Sequence, residues 1–104
     1  MDGFELVAEP RRREILRLIW DQPLAVSAIA DQVEVTIGAV SQHLSKLHEA
    51  GLVTVRADGR RRLYAADRDA LAEFAPLLQS MWASELDGIA TRAEDTQRRR
   101  RRQT

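Results

Sequence analysis

Apolar residues along this chain recur at helical spacing for most of its length and switch to strand spacing once. Phe4, Leu6 and Val7 suggest a short opening helix. From Pro10 to Trp20, the residues Ile15, Leu16, Leu18, Ile19 and Trp20 recur at helical spacing, with Arg11, Arg12, Arg13 and Arg17 between them. Pro10 suits a first helical turn, where its missing N–H is no loss, and Asp21-Gln22-Pro23 ends the pattern. A short helix from about Val26 to Val33 then carries Val26, Ile29, Ala30 and Val33 inward. Glu34-Val35 makes a tight turn, and Thr36 stands at a preferred N-cap position.

The helix that follows, from about Ile37 to Ala50, places Ile37, Val40, Leu44 and Leu47 on one face, at spacings of three, four and three. Gly51 is its C-terminal stop. Two short helices joined by so tight a turn, the second strongly amphipathic, describe a helix-turn-helix. Next, Leu52–Arg56 and Arg61–Ala65 are β-prone runs flanking Asp58-Gly59, a strong hairpin signal. A hairpin appended directly to a helix-turn-helix is a wing.

Asp67 can cap a final helical region reaching roughly to Ala93, with a stripe of Leu71, Phe74, Leu77, Leu78, Met81, Trp82, Leu86 and Ile89. Pro76 lies inside it and should kink it or divide it. The stripe is longer than a body of this size needs for its own closure. We read the surplus, Leu77, Leu78, Met81, Trp82, Leu86 and Ile89 together with Phe4, as a dimer interface. The expected fold is mainly α with a small β-hairpin, in the order α-α-α-α-β-β-α. Residues 1–95 form one DNA-binding and dimerisation domain, and residues 96–104 an Arg-rich tail expected to be disordered.

Composition removes several function classes. There are no cysteines in the 104 residues, so disulfides, zinc–thiolate sites and a Cys nucleophile are out of reach. No apolar run nears the ~20 residues of a membrane span. The opening MDGFELVAEP is acidic and interrupted too early for a signal peptide. No Gly-rich phosphate loop, clustered carboxylates or nucleophile beside a base points to an enzyme, and no cofactor or metal is expected.

The formal net charge of zero hides an asymmetry. Residues 1–35 hold four Arg against seven acids, residues 36–65 five basic groups against two acids, and residues 66–97 two against seven. A polyanion is therefore drawn to the middle of the chain and repelled on either side. The run Arg98–Arg102 either strengthens non-specific binding or is a dispensable tail.

The stretch AEPRRREILRLI, followed by PLAVSAIADQVEVTIGAVSQHLSKLHEAGLVTVRADGRRRLY, resembles the ArsR/SmtB class of bacterial repressors. Its most specific part is AVSQHLSKLHEAGLV, from Ala39 to Val53, with the DGRRRLY wing. The resemblance implies a homodimer with a winged helix-turn-helix, terminal helices at the dimer contact, and a palindromic operator near its own promoter. It also implies a bacterial cytoplasmic protein, nucleoid-associated when bound to DNA. The arsenic-type sensors of that class carry two cysteines flanking a valine; the matching positions here are Ala25 and Ser27. Others place carboxylates and histidines on the last helix, which has no His in this chain. The resemblance is thus to cysteine-free, non-metal-sensing members. Glu34 stands where the class often has Gly.

On a helical wheel, the face opposite Val40, Leu44, Leu47 and Ile37 carries Gly38, Gln42, Ser45 and Glu49, with Ser41 and Lys46 at the margins. Gln42 offers the paired donor and acceptor that adenine needs, and Ser41 and Ser45 can serve bases or phosphates. Gly38 permits close approach, and Thr36 with the first-turn N–H groups favours a phosphate. His43 lies at the edge of the apolar stripe, open to either a DNA contact or a hydrogen bond within the domain. Lys46, Arg60 and Arg62 should neutralise phosphates or enter the minor groove, with Arg56 secondary. Arg61 points the other way in a strand. Arg11–Arg13 are read as structural, partnered with Glu9 or Glu14. The expected function is sequence-specific recognition of double-stranded DNA by a homodimeric (auto)repressor; the alternative is a winged-helix protein-interaction module that does not read DNA.

Overall fold

In the computed structural model, which describes residues 2–85, five helices and three short strands pack around one core. Helix α1 (Gly3–Ala8) is capped by Asp2, whose carboxylate accepts from the Glu5 N–H at 2.8 Å. Helix α2 (Pro10–Leu18) begins on Pro10 and is capped by Glu9 accepting from the Arg12 N–H at 2.8 Å. Strand β1 (Leu24–Ala25) leads into helix α3 (Val26–Val33), and helix α4 (Ile37–Glu49) follows after three residues. Strands β2 (Val53–Asp58) and β3 (Arg61–Ala66) form the hairpin, and helix α5 covers residues 75–85.

The core draws one stripe from each helix. Ile15 and Leu16 of α2, Ile29 of α3, and Val40, Leu44 and Leu47 of α4 are wholly buried, and Leu71 and Leu78 close the bottom. Burying such side chains contributes roughly 1.5–3 kcal/mol each before the entropy of ordering is subtracted. Helix α4 stops as the sequence suggests. Gly51 adopts φ +76°, its N–H reaches the His48 carbonyl at 2.9 Å, and the Leu52 N–H reaches the Leu47 carbonyl at 2.9 Å. That pair of bonds is a Schellman motif, and it turns the chain directly into β2.

The sheet departs from expectation. Leu24 and Ala25 pair antiparallel with Tyr64 and Leu63, so the described sheet has three strands in the order β1-β3-β2. A two-residue strand is too short to show period-two alternation, and its partner lies about forty residues away, so no local pattern announces it. In the hairpin Asp58 faces Arg61 across Gly59-Arg60. Gly59 takes φ +63° and Arg60 does not go positive, the pattern of a type II′ turn.

The region after β3 also differs. Asp67 does cap, its Oδ1 accepting from the Ala70 N–H at 3.1 Å, but residues 68–74 form successive turns and the helix begins only at 75. Pro76 is the cause. It lacks an N–H and its ring collides with the carbonyl four residues back, so no helical ladder can run through 72–76; the proline sits instead in the first turn of α5. The expected continuation to Ala93, with Leu86 and Ile89, and the tail from 96 lie outside the described residues.

Two further corrections concern burial. Ile37, expected in the buried stripe, is 57% exposed, because the first turn of α4 projects past the elements that cover Val40. Leu78 and Trp82, assigned to a contact between subunits, are 0% and 6% exposed within the chain itself. Trp82 lies edge-on to Trp20, with ring centroids 5.2 Å apart, and its Nε1–H donates to the Arg13 carbonyl at 3.1 Å. The winged body therefore uses the last helix for its own closure.

Glu34 ends α3 at φ +56°, ψ +38°, the one non-glycine described residue with positive φ. A left-handed backbone costs a side-chain-bearing residue roughly 1–2 kcal/mol. Part of that returns as lost chain freedom when glycine replaces it. Glu34→Gly is expected to raise stability by about 1 kcal/mol, read as a higher denaturant midpoint at unchanged slope, whereas Glu34→Val should lower it.

Candidate nucleic-acid interface

Thr36 fixes the start of the candidate reading helix: its Oγ1 accepts from the Ala39 N–H at 3.1 Å. That leaves the hydroxyl proton free to donate outward, beside the first-turn N–H groups of α4. One turn on, Gly38, Ser41, Gln42, Ser45 and Lys46 are all exposed on the face away from Val40, Leu44 and Leu47. A Cβ built on Gly38 would meet nothing within 4 Å, so its absence creates clearance on the outer side and not packing on the inner. The face is polar, short-chained and nearly uncharged, which suits hydrogen bonding to base edges better than charge neutralisation.

The hairpin supplies the charge. Arg60 occupies the turn and Arg56 and Arg62 the strands, all exposed and without an ion pair among the described residues. Arg61 differs, because its Nη2 lies 3.3 Å from Asp58 Oδ2 across the hairpin end. Both partners are largely solvated, so that pair adds little stability, but it does occupy the Arg61 guanidinium.

His43 turns the other way. Its ring is half-buried, with Nδ1 at 3.4 Å from Arg12 Nη1 and 3.9 Å from Glu9 Oε2. Because arginine can only donate, Nδ1 accepts and the proton of the neutral ring sits on Nε2. Burial holds the imidazole below its ordinary pKa. The Glu9 carboxylate opposes this, and the positive charges of Arg12, Lys46 and Arg11 add to it. For Glu9 burial is the largest influence and pushes upward, but N–H bonds from Arg12 and Arg11 and the charges of His43 and Arg12 outweigh it, so its carboxyl lies below normal. The residues alone leave His43 open to a hydrogen bond within the domain, but they do not name Glu9 and Arg12 as its partners, because these belong to another helix.

The sign of the pH effect follows. A folded His pKa below the ordinary 6.5 means that the unfolded chain takes up the proton first. The contribution of His43 is therefore complete above pH 6.5 and declines as pH falls beneath it. Between pH 7.5 and 5.5, wild-type unfolding free energy should drop more than that of His43→Gln; equal drops would remove the assignment.

The second arginine of the Arg11–Arg13 run is a structural member of the core. Arg12 is 4% exposed and its Nε–H donates to the Leu6 carbonyl at 2.7 Å, tying α1 to α2. Arg13 Nη2 pairs with Glu85 at 2.8 Å and its Nη1 donates to the Ala8 carbonyl at 2.7 Å, so α5 is held against α2. Arg11 Nη1 lies 3.2 Å from Glu14 and donates to the Val33 carbonyl at 3.1 Å, bracing α3. All three thus position the frame behind α4. Among the described residues, no group of three or more His, Asp or Glu side chains converges, and no helix is long and apolar enough to cross a membrane.

A tightly turned helix pair, an exposed second helix and a basic hairpin define a winged helix-turn-helix protein. A family model described as "Bacterial regulatory protein, arsR family" matches residues 9–55. The HTH-type transcriptional regulator Rv2034 of Mycobacterium tuberculosis is 38% identical over 88 residues, covering 85% of this chain and 82% of that protein. The crystal structure of a possible transcriptional regulator for arsenical resistance superposes with a TM-score of 0.67 at 41% identity, covering 88% of this chain and 95% of that one. The homodimeric winged helix-turn-helix DNA-binding domain of Mb0332 from Mycobacterium bovis gives 0.67 at 29% identity, over 82% of this chain and 79% of that one. The chain belongs to the ArsR family of bacterial regulatory proteins, and is a transcriptional regulator and not an enzyme.

Proposed function

We propose that this regulator is a homodimeric repressor that reads a pseudo-palindromic operator near its own promoter through Gly38, Ser41, Gln42 and Ser45, with Thr36, Lys46, Arg60 and Arg62 on phosphates. The observation that carries the reading is the pairing of a neutral, short-chained face on α4 with exposed guanidiniums on the wing, Arg60 and Arg62, that have no ion pair among the described residues. Such a division assigns specificity to the helix and attraction to the hairpin. His43, half-buried against Glu9 and Arg12, can add to the contact only through its Nε2–H, as a neutral donor and not a charge.

Dimerisation follows from what remains apolar outside. Phe4 is 53% and Leu77 37% exposed, with Met81 half-buried on the same helix as Leu77. Gly3 lies so close to the Phe74 ring that a Cβ would stand 2.8 Å from it, which brings α1 beside the start of α5. Phe4, Leu77 and Met81 thus form the described part of a surface suited to a second copy, and homodimerisation of the similar M. bovis domain supports the reading. Leu86 and Ile89 would extend it. The absence of any cysteine from the sequence, with Ala25 and Ser27 in place of a thiolate pair, favours release that does not depend on a metal.

The test is equilibrium binding to the DNA upstream of the chain's own gene, with chelator and then with zinc, nickel or arsenite added. The expected result is two chains per duplex at an affinity that the additions leave unchanged. Binding no tighter than to random duplex, or release by one of these ions, would overturn the corresponding part.

A further inference from the structure

Ile37 is the one large aliphatic side chain of α4 that the fold leaves in solvent, at 57% exposure against 0% for Val40, Leu44 and Leu47. It forms a wall of an open groove of about 300 Å³ with Ala25, Val26, Ser27 and Tyr64, and Arg61 and Arg62 stand on the same rim. On the helix Ile37 lies one turn before Ser41, about 40° around the axis. Gln42 lies about 140° from Ile37, so the two do not face one base, but a duplex that meets Ser41 at the start of α4 passes over Ile37 as well. A β-branched side chain is also stiff at χ1, so it holds one position with little entropy to lose on contact.

We infer that Ile37 reads thymine, its exposed side chain covering the C5-methyl group of one base in the major groove of each half-site. This inference rests on the DNA-reading proposal above. Among the groups that base pairs present in that groove, the thymine methyl is the one apolar feature, so it is the one that an aliphatic side chain can select. The rim decides between this occupant and an apolar segment of another protein. Arg62 borders the groove without an ion pair among the described residues, whereas Arg61 beside it is paired with Asp58, and a greasy partner seated there would strip water from the Arg62 guanidinium without offering it an anion. A duplex offers both at once: a methyl group for Ile37 and phosphates for the rim. The groups at the two ends of the contact are thus matched in kind.

The experiment selects duplexes from a random-sequence pool with the full chain, then replaces each thymine of the winning sequence singly by deoxyuridine, which deletes the methyl and keeps the pairing. Wild type should lose about fourfold at one thymine per half-site, the worth of one buried methyl-sized group. Ile37→Ala, which removes the contact from both half-sites of a dimer, should lose about the square of that factor, roughly 16-fold, on the unmodified duplex and nothing further when either of those thymines becomes deoxyuridine, while Ile37→Val keeps part of the contact. An unchanged thermal midpoint for Ile37→Ala, expected for so exposed a residue, assigns the loss to the interface. If wild type ignores every deoxyuridine, or Ile37→Ala keeps the full penalty at each, the inference fails while reading by Gln42 stands. If no duplex is selected over random DNA, both fall.

Discussion

Trp82→Ala is expected to destabilise the protein by about 3–5 kcal/mol, the usual range for emptying an aromatic site in a core. The indole is 6% exposed, stacks edge-on to Trp20 at 5.2 Å and gives its Nε1–H to the Arg13 carbonyl. Removing it opens a cavity, takes one hydrogen bond from that carbonyl and leaves the partly exposed Arg13–Glu85 pair to hold α5 against α2. In a domain of this size each kcal/mol moves the melting midpoint by roughly 4–8 °C, so the variant should melt some tens of degrees lower or not fold at all. Trp82→Phe separates the contributions, since it keeps most of the ring and loses the hydrogen bond, and should cost well under half as much. A Trp82→Ala protein with an unchanged melting midpoint and a weakened dimer would instead return the indole to the interface between subunits.

Gln42→Ala carries the second large effect, in binding and not in stability. The side chain is exposed, so its loss should leave the melting curve in place. A bidentate contact to a base is worth about 1–3 kcal/mol, and a dimer makes the contact twice, so the affinity for the selected operator should fall by roughly 2–6 kcal/mol. Binding to random DNA should hardly change. Arg62→Ala is the counterpart: it should weaken selected and random duplexes alike and flatten the dependence on salt by about one counterion per contact. Equal losses of Gln42→Ala on both kinds of DNA would make it a phosphate ligand.

Much of the reading head is visible in the residues because its determinants are local. Thr36, the spacing of Val40, Leu44 and Leu47, Gly51 and Asp58-Gly59 each act within a few positions, and the helix, its Schellman stop and the hairpin follow from them. What local pattern cannot carry is the company that a side chain keeps. Ile37 shares the spacing of the buried stripe, but no element among the described residues reaches past the start of α4 to cover it. Strand β1 exists only because Tyr64 and Leu63 arrive beside it. Trp82 and Leu78 fit an apolar stripe equally well whether the opposing surface belongs to the same chain or to another, and only the packed fold distinguishes the two. Pro76 was a visible breaker, yet its position in the first turn of α5, preceded by turns, depends on where Leu71 and Phe74 find cover.

The interface has the same division. Exposure of Ser41, Gln42 and Ser45 is a matter of helical phase and could be anticipated. For His43 the sequence leaves a DNA contact and an internal hydrogen bond both open, and the choice of Glu9 and Arg12 depends on α2 crossing behind α4. That crossing joins the reading helix to the N-terminal helices near which a second copy would dock.

The central claim is that two copies of α4 read one symmetric site, and hydroxyl-radical footprinting on a selected duplex tests it most directly. Two protected patches should appear on one side of the duplex, related by the two-fold axis of a pseudo-palindrome and centred about 34 Å apart, one helical turn. A single unsymmetric patch, or protection no stronger than on random DNA, would contradict it.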